Sequence, residues 1–227
     1  MRIGIVCAGA SEVAPFLSML NETSVTEKSL LKFYEGKIEN RDVVTLFSGV
    51  CKVNAAIAVQ ILIDIYKCDI IINAGTAGGI DERLEIFDTV VSTEVAYHDV
   101  EEDILTDFHP WMPSVYFKAD ERLIVLAEKI ANQLESKHKI FFGRMVTGEK
   151  FIEDEEREKM KAIYEPLSVD MESAAVAHVC YVNKVPFIAV RTITDTADHS
   201  GVDNFELNCN EASQLCADFV KMMLKEL

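Results

Sequence analysis

The sequence has no apolar stretch approaching the roughly 20 residues that a membrane-spanning helix needs. Hydrophobic residues make up 49% and charged residues 26% of the chain, an ordinary balance for a globular protein. Its start, Met1–Val6, reads as a strand rather than a signal peptide, because the apolar run stops near Gly9 with only Arg2 before it. We therefore expect a soluble protein with no membrane partner.

Basic residues are scarce. The chain has 22 Lys and Arg against 38 Asp and Glu, a formal net charge of -16. Because a strongly negative surface repels nucleic acid and anionic lipid, we expect neither as a partner.

Metal-binding and disulfide patterns are also missing. None of the six cysteines has C-x-x-C spacing or a nearby histidine at zinc-site spacing, and most lie in apolar segments. We interpret them as reduced core thiols of a cytoplasmic protein and expect no metal site. His178, on an Ala-rich helical pattern, is interpreted as a packing or capping residue rather than a ligand.

Nucleotide-cofactor motifs are absent as well. The segment Asn73–Gly79 is rich in glycine and follows a buried strand, but it is not G-x-G-x-x-G and lacks Gly-Lys-Ser/Thr. We therefore expect no cofactor. We predict a turn at this segment, either purely structural or one whose backbone approaches a ligand closely.

The chain shows no linker, repeat or low-complexity tract, which indicates one domain over residues 1–227. Several strands are continuous apolar runs, typical of burial on both faces. The pattern predicts an α/β fold, a single-domain three-layer α/β/α sandwich around a mixed, largely parallel central sheet. The predicted strands are 2–8, 30–34, 43–48, 69–74, 89–96, 140–146, 167–171 and 186–193, and the predicted helices are 11–20, 52–66, 120–134, 154–163, 172–183 and 210–227.

An aromatic segment bracketed by prolines, residues 104–117, fits neither the helical nor the strand period. Such a segment either forms a small local core or covers a ligand or a partner subunit. We favour the covering role.

Carboxylates stand where predicted strands end. Glu172 follows one strand and opens a helix, Asp195 follows another, and Glu12 lies just after the first. Each could simply cap a helix or occupy a solvated turn. In an open α/β sheet, however, the carboxyl ends of strands form the ligand crevice, where acids in different environments can divide acid and base roles.

Taken together, these segments resemble a known family. The matching motifs run in order from the first strand to the last helix: Glu12-Val13, Ser48-Gly49-Val50, Asn73-x-Gly75-Thr76-Ala77-Gly78-Gly79, Tyr97-His98-Asp99, Thr147-Gly148, Phe151-Ile152, Val169-Asp170-Met171-Glu172 and Thr194-Asp195-x-Ala197-Asp198. They are similar to those of 5'-methylthioadenosine/S-adenosylhomocysteine nucleosidases, within the purine nucleoside phosphorylase-like superfamily. The resemblance implies a nucleoside phosphorylase-like fold.

The resemblance further implies hydrolysis of the N-glycosidic bond of adenine nucleosides with a 5'-thioether, in methionine salvage. It assigns Asp195 as the acid that protonates adenine N7 and Glu12 as the base that activates water. Glu172 would hold the ribose hydroxyls. The remaining substrate-binding residues it implies are Met171 beside the sugar, Phe151 stacked on the purine, Ile152 at the adenine edge, and Thr76 and Gly78 along the Gly-rich segment.

A phosphorylase, a futalosine- or inosine-type nucleosidase and a non-catalytic purine sensor are the alternatives. Phosphate as nucleophile needs a cluster of basic residues, and only Lys52 and Arg191 stand near the motifs. The apolar Val50 and Met171 suit a 5'-alkylthio group, although 5'-deoxyadenosine also stays open as a substrate.

The chain also departs from the family pattern. Asp170 stands where Glu is usual, and Cys7 and Cys51 stand where Gly is usual. The family and the aromatic segment together imply a homodimer with Leu105–Phe117 near the partner's site.

Overall fold

The computed structural model describes residues 1–152, 154–196 and 202–227, so Ala197 and Asp198 of the last motif lie outside the described residues. The strands are β1 (Arg2–Cys7), β2 (Asn21–Lys28), β3 (Leu31–Ile38), β4 (Arg41–Phe47), β5 (Ile70–Gly79), β6 (Thr89–Tyr97), β7 (Phe117–Lys118), β8 (Ile140–Thr147), β9 (Ser168–Asp170) and β10 (Phe187–Asp195). The helices are α1 (Ala10–Met19), α2 (Lys52–Asp64), α3 (Glu102–Asp107), α4 (Glu121–Ala131), α5 (Asp154–Tyr164), α6 (Ser173–Asn183) and α7 (Val202–Glu226).

All the strands belong to one mixed sheet in the order β10-β6-β8-β9-β5-β1-β4-β3-β2, with β7 paired to β6. Strand β1 runs parallel to both β4 and β5, and β5 runs parallel to β10. Because β10 also pairs with β6, strands β5, β9, β8, β6 and β10 form a closed ring. The carboxyl ends of β1, β5 and β10 therefore meet at one edge.

Helices cover both faces of the sheet. Helix α7 packs on β10 and β5 and contacts α1 and α4, while α2 packs on α6 and β1 on the opposite face. Every residue of β10 is buried, and its apolar start Phe187–Val190 is typical of a strand between two helical layers. The predicted three-layer α/β/α fold class is confirmed.

Several elements differ from those that the sequence predicts. Strand β2 is entirely exposed, so its polar sequence carries no apolar pattern to predict it. Helix α3 occupies the start of the aromatic segment, and α7 begins at Val202 rather than at residue 210.

None of the described helices combines the length and apolar character that crossing a membrane requires.

The predicted Gly-rich turn at Asn73–Gly79 is also wrong, because this segment continues β5 as extended strand to Gly79. It is held on one side by β10, in a register that places Thr192 opposite Thr76 and Asp195 opposite Gly78. On the other side Gly78 pairs with Val169 of β9. The glycines are therefore needed for the close approach of side chains rather than for a turn.

Candidate active site

A cavity of about 970 Å³ opens at the edge where β1, β5 and β10 end. Ligand crevices of α/β sheets lie at this edge, and the volume is at the upper end of the range for small-molecule sites. The cavity is lined by every predicted site residue, namely Glu12, Thr76, Gly78, Phe151, Ile152, Met171, Glu172 and Asp195. The fold thus gathers side chains from the first strand–helix connection to the last strand.

The carboxyl of Glu12 is buried and surrounded by donors from two segments. Its Oε2 accepts hydrogen bonds from the backbone N–H of Ala8 at 2.7 Å and of Gly9 at 3.0 Å. Its Oε1 accepts from Thr76, at 2.7 Å from the backbone N–H and 2.8 Å from the hydroxyl. These bonds join the start of α1 to β5 and fix the carboxyl in a single orientation.

The guanidinium of Arg191 lies among three carboxyls, those of Glu12, Asp170 and Glu172. This residue on β10 is fully buried. Its Nη2 donates to Asn73 Oδ1 at 2.7 Å and to Glu172 Oε2 at 3.3 Å, and Nη1 lies 3.8 Å from Glu12 Oε1. Burial opposes the charge, but attraction to Asp170, Glu172 and Glu12 outweighs it and raises the pKa of Arg191 above its usual value.

Asp170, the first departure from the family pattern, organises the start of α6. Its Oδ1 accepts from the Thr147 hydroxyl at 2.6 Å and from the backbone N–H of Glu172 and Ser173 at 3.1 and 3.0 Å. Its Oδ2 lies 3.0 Å from Arg191 Nε and also accepts from the Ser173 hydroxyl. Asp170 is therefore both a helix cap and a counter-ion.

Glu172 projects into the cavity from the position before α6. Its Oε1 accepts the backbone N–H of Cys51 at 3.0 Å and its Oε2 pairs with Arg191. Burial raises the pKa of Glu172 to about 7, against the opposing pull of Arg191. Glu172 therefore changes charge near neutral pH.

Asp195, at the end of β10, has different surroundings. Its Oδ1 accepts from the Thr194 hydroxyl at 3.0 Å, and its Oδ2 lies 3.3 Å from Arg157 Nη2. Burial raises the pKa of Asp195 above its usual range, opposed by Thr194 and then by Arg157. The cavity thus presents one carboxyl enclosed by backbone donors, Glu12, and one whose neutral form burial favours, Asp195.

Glycine leaves space beside both of these acids, most of all at Gly75. A Cβ on Gly75 would lie 2.4 Å from Glu12 Oε1 and 2.7 Å from Arg191 Nη1. A Cβ on Gly78 would lie 3.1 Å from Asp195 Oδ2. The glycines of β5 therefore make room for the carboxyls.

One wall of the cavity is apolar. Phe151 is 53% exposed, and its ring meets the ring of Phe205 edge-on with centroids 6.0 Å apart. Val50 and Met171 line the same cavity. The exposed ring of Phe151 is therefore free to stack on a flat ligand.

The aromatic segment does not line this cavity in the described part of the chain. Leu105, Met112 and Phe117 pack into the main core, so part of the segment is local core. Phe108 and Trp111, by contrast, are 62% and 66% exposed.

Two arginines of the site are not among the site residues that the sequence predicts. The sequence suggests Arg191 only as a phosphate ligand, although an arginine directly after the apolar run Phe187–Val190 is a signal of buried pairing. Arg157 lies on the mostly charged helix α5, a pattern that predicts exposure. The described residues contain no group of His, Cys, Asp and Glu side chains suited to hold a metal ion.

Comparison with known proteins adds independent information. The sequence matches the Phosphorylase superfamily over residues 2–225. It is 37% identical over 231 residues to the 5'-methylthioadenosine/S-adenosylhomocysteine nucleosidase of Actinobacillus succinogenes, covering 100% of both chains.

Solved structures give the same picture. The fold is similar to that of a nucleosidase of the same name from Colwellia psychrerythraea in complex with adenine, with a TM-score of 0.91, 34% identity and coverage of 100% of this chain and 96% of the other. It is also similar to the futalosine hydrolase of Helicobacter pylori, with a TM-score of 0.90, 27% identity and coverage of 100% and 98%.

Proposed function

This chain belongs to the 5'-methylthioadenosine/S-adenosylhomocysteine nucleosidase family of the phosphorylase superfamily, and from that premise we propose how its cavity works. The chain is an N-glycoside hydrolase that splits 5'-methylthioadenosine and S-adenosylhomocysteine into adenine and the corresponding thioribose. The observation that carries the proposal is that two buried carboxyls in contrasting surroundings, Asp195 and Glu12, line one cavity.

Asp195 serves as the acid for the leaving group. Adenine leaves poorly as an anion, and a proton on N7 makes it a neutral leaving group. Such an acid must hold its proton near neutral pH, and the burial of Asp195 raises its pKa in that direction.

Glu12 serves as the base. A water molecule beside its carboxyl attacks C1' while its proton passes to Glu12. The bonds from Ala8, Gly9 and Thr76 hold the carboxyl in place, so that it meets the water without reorienting.

Glu172 and Met171 hold the sugar. The carboxyl of Glu172 accepts hydrogen bonds from the ribose hydroxyls and stabilises the positive charge that develops on the ring. Only the ionised form does this fully, so the pKa of about 7 makes Glu172 sensitive to pH in the neutral range.

The purine of the nucleoside lies between the other site residues that line the cavity. Phe151 stacks on the purine, Ile152 meets its edge through the backbone, and Thr76 and Gly78 line the opposite side. Their common position on the cavity supports this arrangement. The apolar Val50 faces the 5'-thioether.

Water rather than phosphate is the nucleophile. The guanidinium of Arg191 is engaged by Asn73 and three carboxylates, and Lys52 pairs with Asp99 at 2.9 Å. The basic residues on the cavity lining, Lys150 and Arg157, are paired with Glu156 and Asp195. A phosphate anion would have to displace carboxylates from each of them.

We propose a single-domain cytoplasmic enzyme of methionine salvage that acts as a homodimer. The exposed Phe108 and Trp111 point away from the core of their own chain, which supports the placement of Leu105–Phe117 near the partner's site. Light scattering tests the assembly, and a fully active monomer would contradict it.

Product analysis tests the function. Purified protein is incubated with 5'-methylthioadenosine, with and without inorganic phosphate, and the sugar product is identified by mass spectrometry. We expect free methylthioribose at the same rate in both samples, whereas a sugar 1-phosphate would contradict the hydrolase.

The similarity to futalosine hydrolase supplies a second substrate to test. Futalosine and inosine carry a 6-oxo purine, and Asp195 could protonate N7 of either purine class. We expect the adenine nucleoside to be the better substrate by kcat/KM.

A further inference from the structure

Arg157 is a buried arginine that faces the leaving-group acid. Its side chain is 4% exposed and its Nη2 lies 3.3 Å from Asp195 Oδ2. Its Nη1 donates to the backbone carbonyl of Gly79 on β5. Its Nε is buried without a partner among the described residues. Because arginine is rarely buried unless it is paired, Asp195 is the group that accounts for this charge.

The contact between Arg157 and Asp195 matters because the reaction takes a proton from Asp195. The proton on an Asp195 oxygen passes to purine N7, and the electron pair of the breaking C1'–N9 bond moves into the purine. Water supplies the new bond to C1' and gives its proton to Glu12. Asp195 therefore ends the step as a carboxylate, which a guanidinium at this distance stabilises.

We propose that Arg157 is a positioning residue that acts through Asp195, holding the carboxyl towards the purine and strengthening it as an acid. The inference rests on the proposed function. Burial favours the protonated form of Asp195 before the reaction, whereas the Thr194 hydroxyl and Arg157 favour the carboxylate that the reaction leaves. The bond to Gly79 anchors the guanidinium to the strand that carries Gly78.

The other neighbours of Asp195 leave the electrostatic role to Arg157. Thr194, on the same strand, offers a neutral hydroxyl. Gly78 and Gly79 of β5 bring only backbone close, and β9 brings the apolar Val169 beside Gly78. From α7, the Asn208 amide binds the Thr194 carbonyl. Within the described part of the chain, Arg157 is the charged side chain that contacts this carboxyl.

Substitution of Arg157 tests the proposal. Arg157→Met removes the charge and keeps much of the length, and Arg157→Lys keeps the charge. For Arg157→Met we expect kcat on 5'-methylthioadenosine to fall about 10- to 100-fold with KM little changed. Activity falls as pH rises through the pKa of Asp195, and we expect this limb to move up by about one pH unit without the guanidinium. Arg157→Lys should recover most of the kcat and the wild-type pH profile.

A double mutant separates positioning from mere structural support. In the Asp195→Asn background the proton donor is gone, so Arg157→Met should cause little further loss. An equal loss in both backgrounds, or an unchanged pH limb, would overturn the proposal. If circular dichroism shows Arg157→Met to be unfolded, Arg157→Gln takes its place in the same measurements.

The wild-type assay distinguishes a failure of the proposed function from a failure of the role proposed for Arg157. A wild-type protein that releases no adenine from any nucleoside overturns the proposed function. An active wild type whose Arg157 variants match it in kcat and pH profile overturns only the role of Arg157.

Discussion

Gly75 and Glu12 approach so closely that no side chain fits between them, since a Cβ on the glycine would lie 2.4 Å from Glu12 Oε1. The same Cβ would lie 2.7 Å from Arg191 Nη1. One backbone position of β5 therefore sets the location of the proposed base, Glu12, and of the buried cation, Arg191.

Gly75→Ala should displace the Glu12 carboxyl, because the new methyl group would overlap Glu12 Oε1. We expect kcat to fall at least about 100-fold, because misplacement of about 1 Å can cost that much. Steady-state kinetics gives the loss, and thermal unfolding shows whether the variant is folded. A folded variant with kcat within threefold of wild type would show that Glu12 has room to move.

Asp195→Asn and Glu12→Gln should each remove a proton-transfer group and lower kcat by about 10²- to 10⁴-fold. Isothermal titration should show that binding of the nucleoside is largely kept. Because the Gln amide would face backbone donors, Glu12→Gln should also lose about 1–3 kcal/mol of stability, unlike Asp195→Asn. Near wild-type turnover in either variant would refute its assigned role.

The stability contributed by Glu172 should depend on pH. Its pKa is raised to about 7 in the folded protein, so the folded state binds more protons than the unfolded state above the ordinary pKa of a carboxyl. This contribution is complete below the unfolded pKa and is lost as pH rises through about 7.

Glu172→Gln isolates that contribution, because Gln mimics the protonated acid at every pH. Urea unfolding at pH 5 and pH 8 gives the free energy of unfolding. Relative to wild type, that of the variant should rise by up to about 3 kcal/mol between the two pH values. The same difference at both pH values would mean that Glu172 does not titrate in this range.

Asp170→Asn should leave the Arg191 guanidinium with one counter-ion fewer while keeping the shape of the side chain. We expect a loss of about 3–5 kcal/mol in the free energy of unfolding, typical of a broken buried ion pair. Asp170→Glu keeps the charge and is the matched control, which should lose less. Equal losses in the two variants would indicate that size rather than charge matters at this position.

Cys51→Gly should stabilise the protein. Cys51 has a φ of +81°, a region that favours glycine, and its backbone N–H bonds Glu172. Relief of this strain should raise the free energy of unfolding by about 1 kcal/mol or more. Cys51→Ala keeps the strain and serves as the control. Chemical unfolding measures both, and a Gly variant no more stable than the Ala variant would contradict the argument.

The sequence anticipated those parts of the molecule that local pattern encodes. Strand β10 begins with the apolar run Phe187–Val190 and is buried throughout, and the predicted 186–193 differs from it by one or two residues at each end. Strand β2 is the opposite case, because a wholly exposed edge strand has no face to mark with apolar residues. The turn predicted at the Gly-rich end of β5 is wrong because glycine favours turns by itself and is extended here only through pairing with β9 and β10.

By itself the sequence determined the layered α/β class, the family, and the placement of Glu12, Glu172 and Asp195 at strand ends, because burial and the ends of strands are marked by neighbouring residues. The tertiary structure alone decided which groups touch these acids. Thr76 lies 64 residues from Glu12, and Asn73 lies 118 residues from Arg191. Burial raises the pKa of Glu172 and Asp195, and this burial arises only when closure of the sheet brings distant segments together.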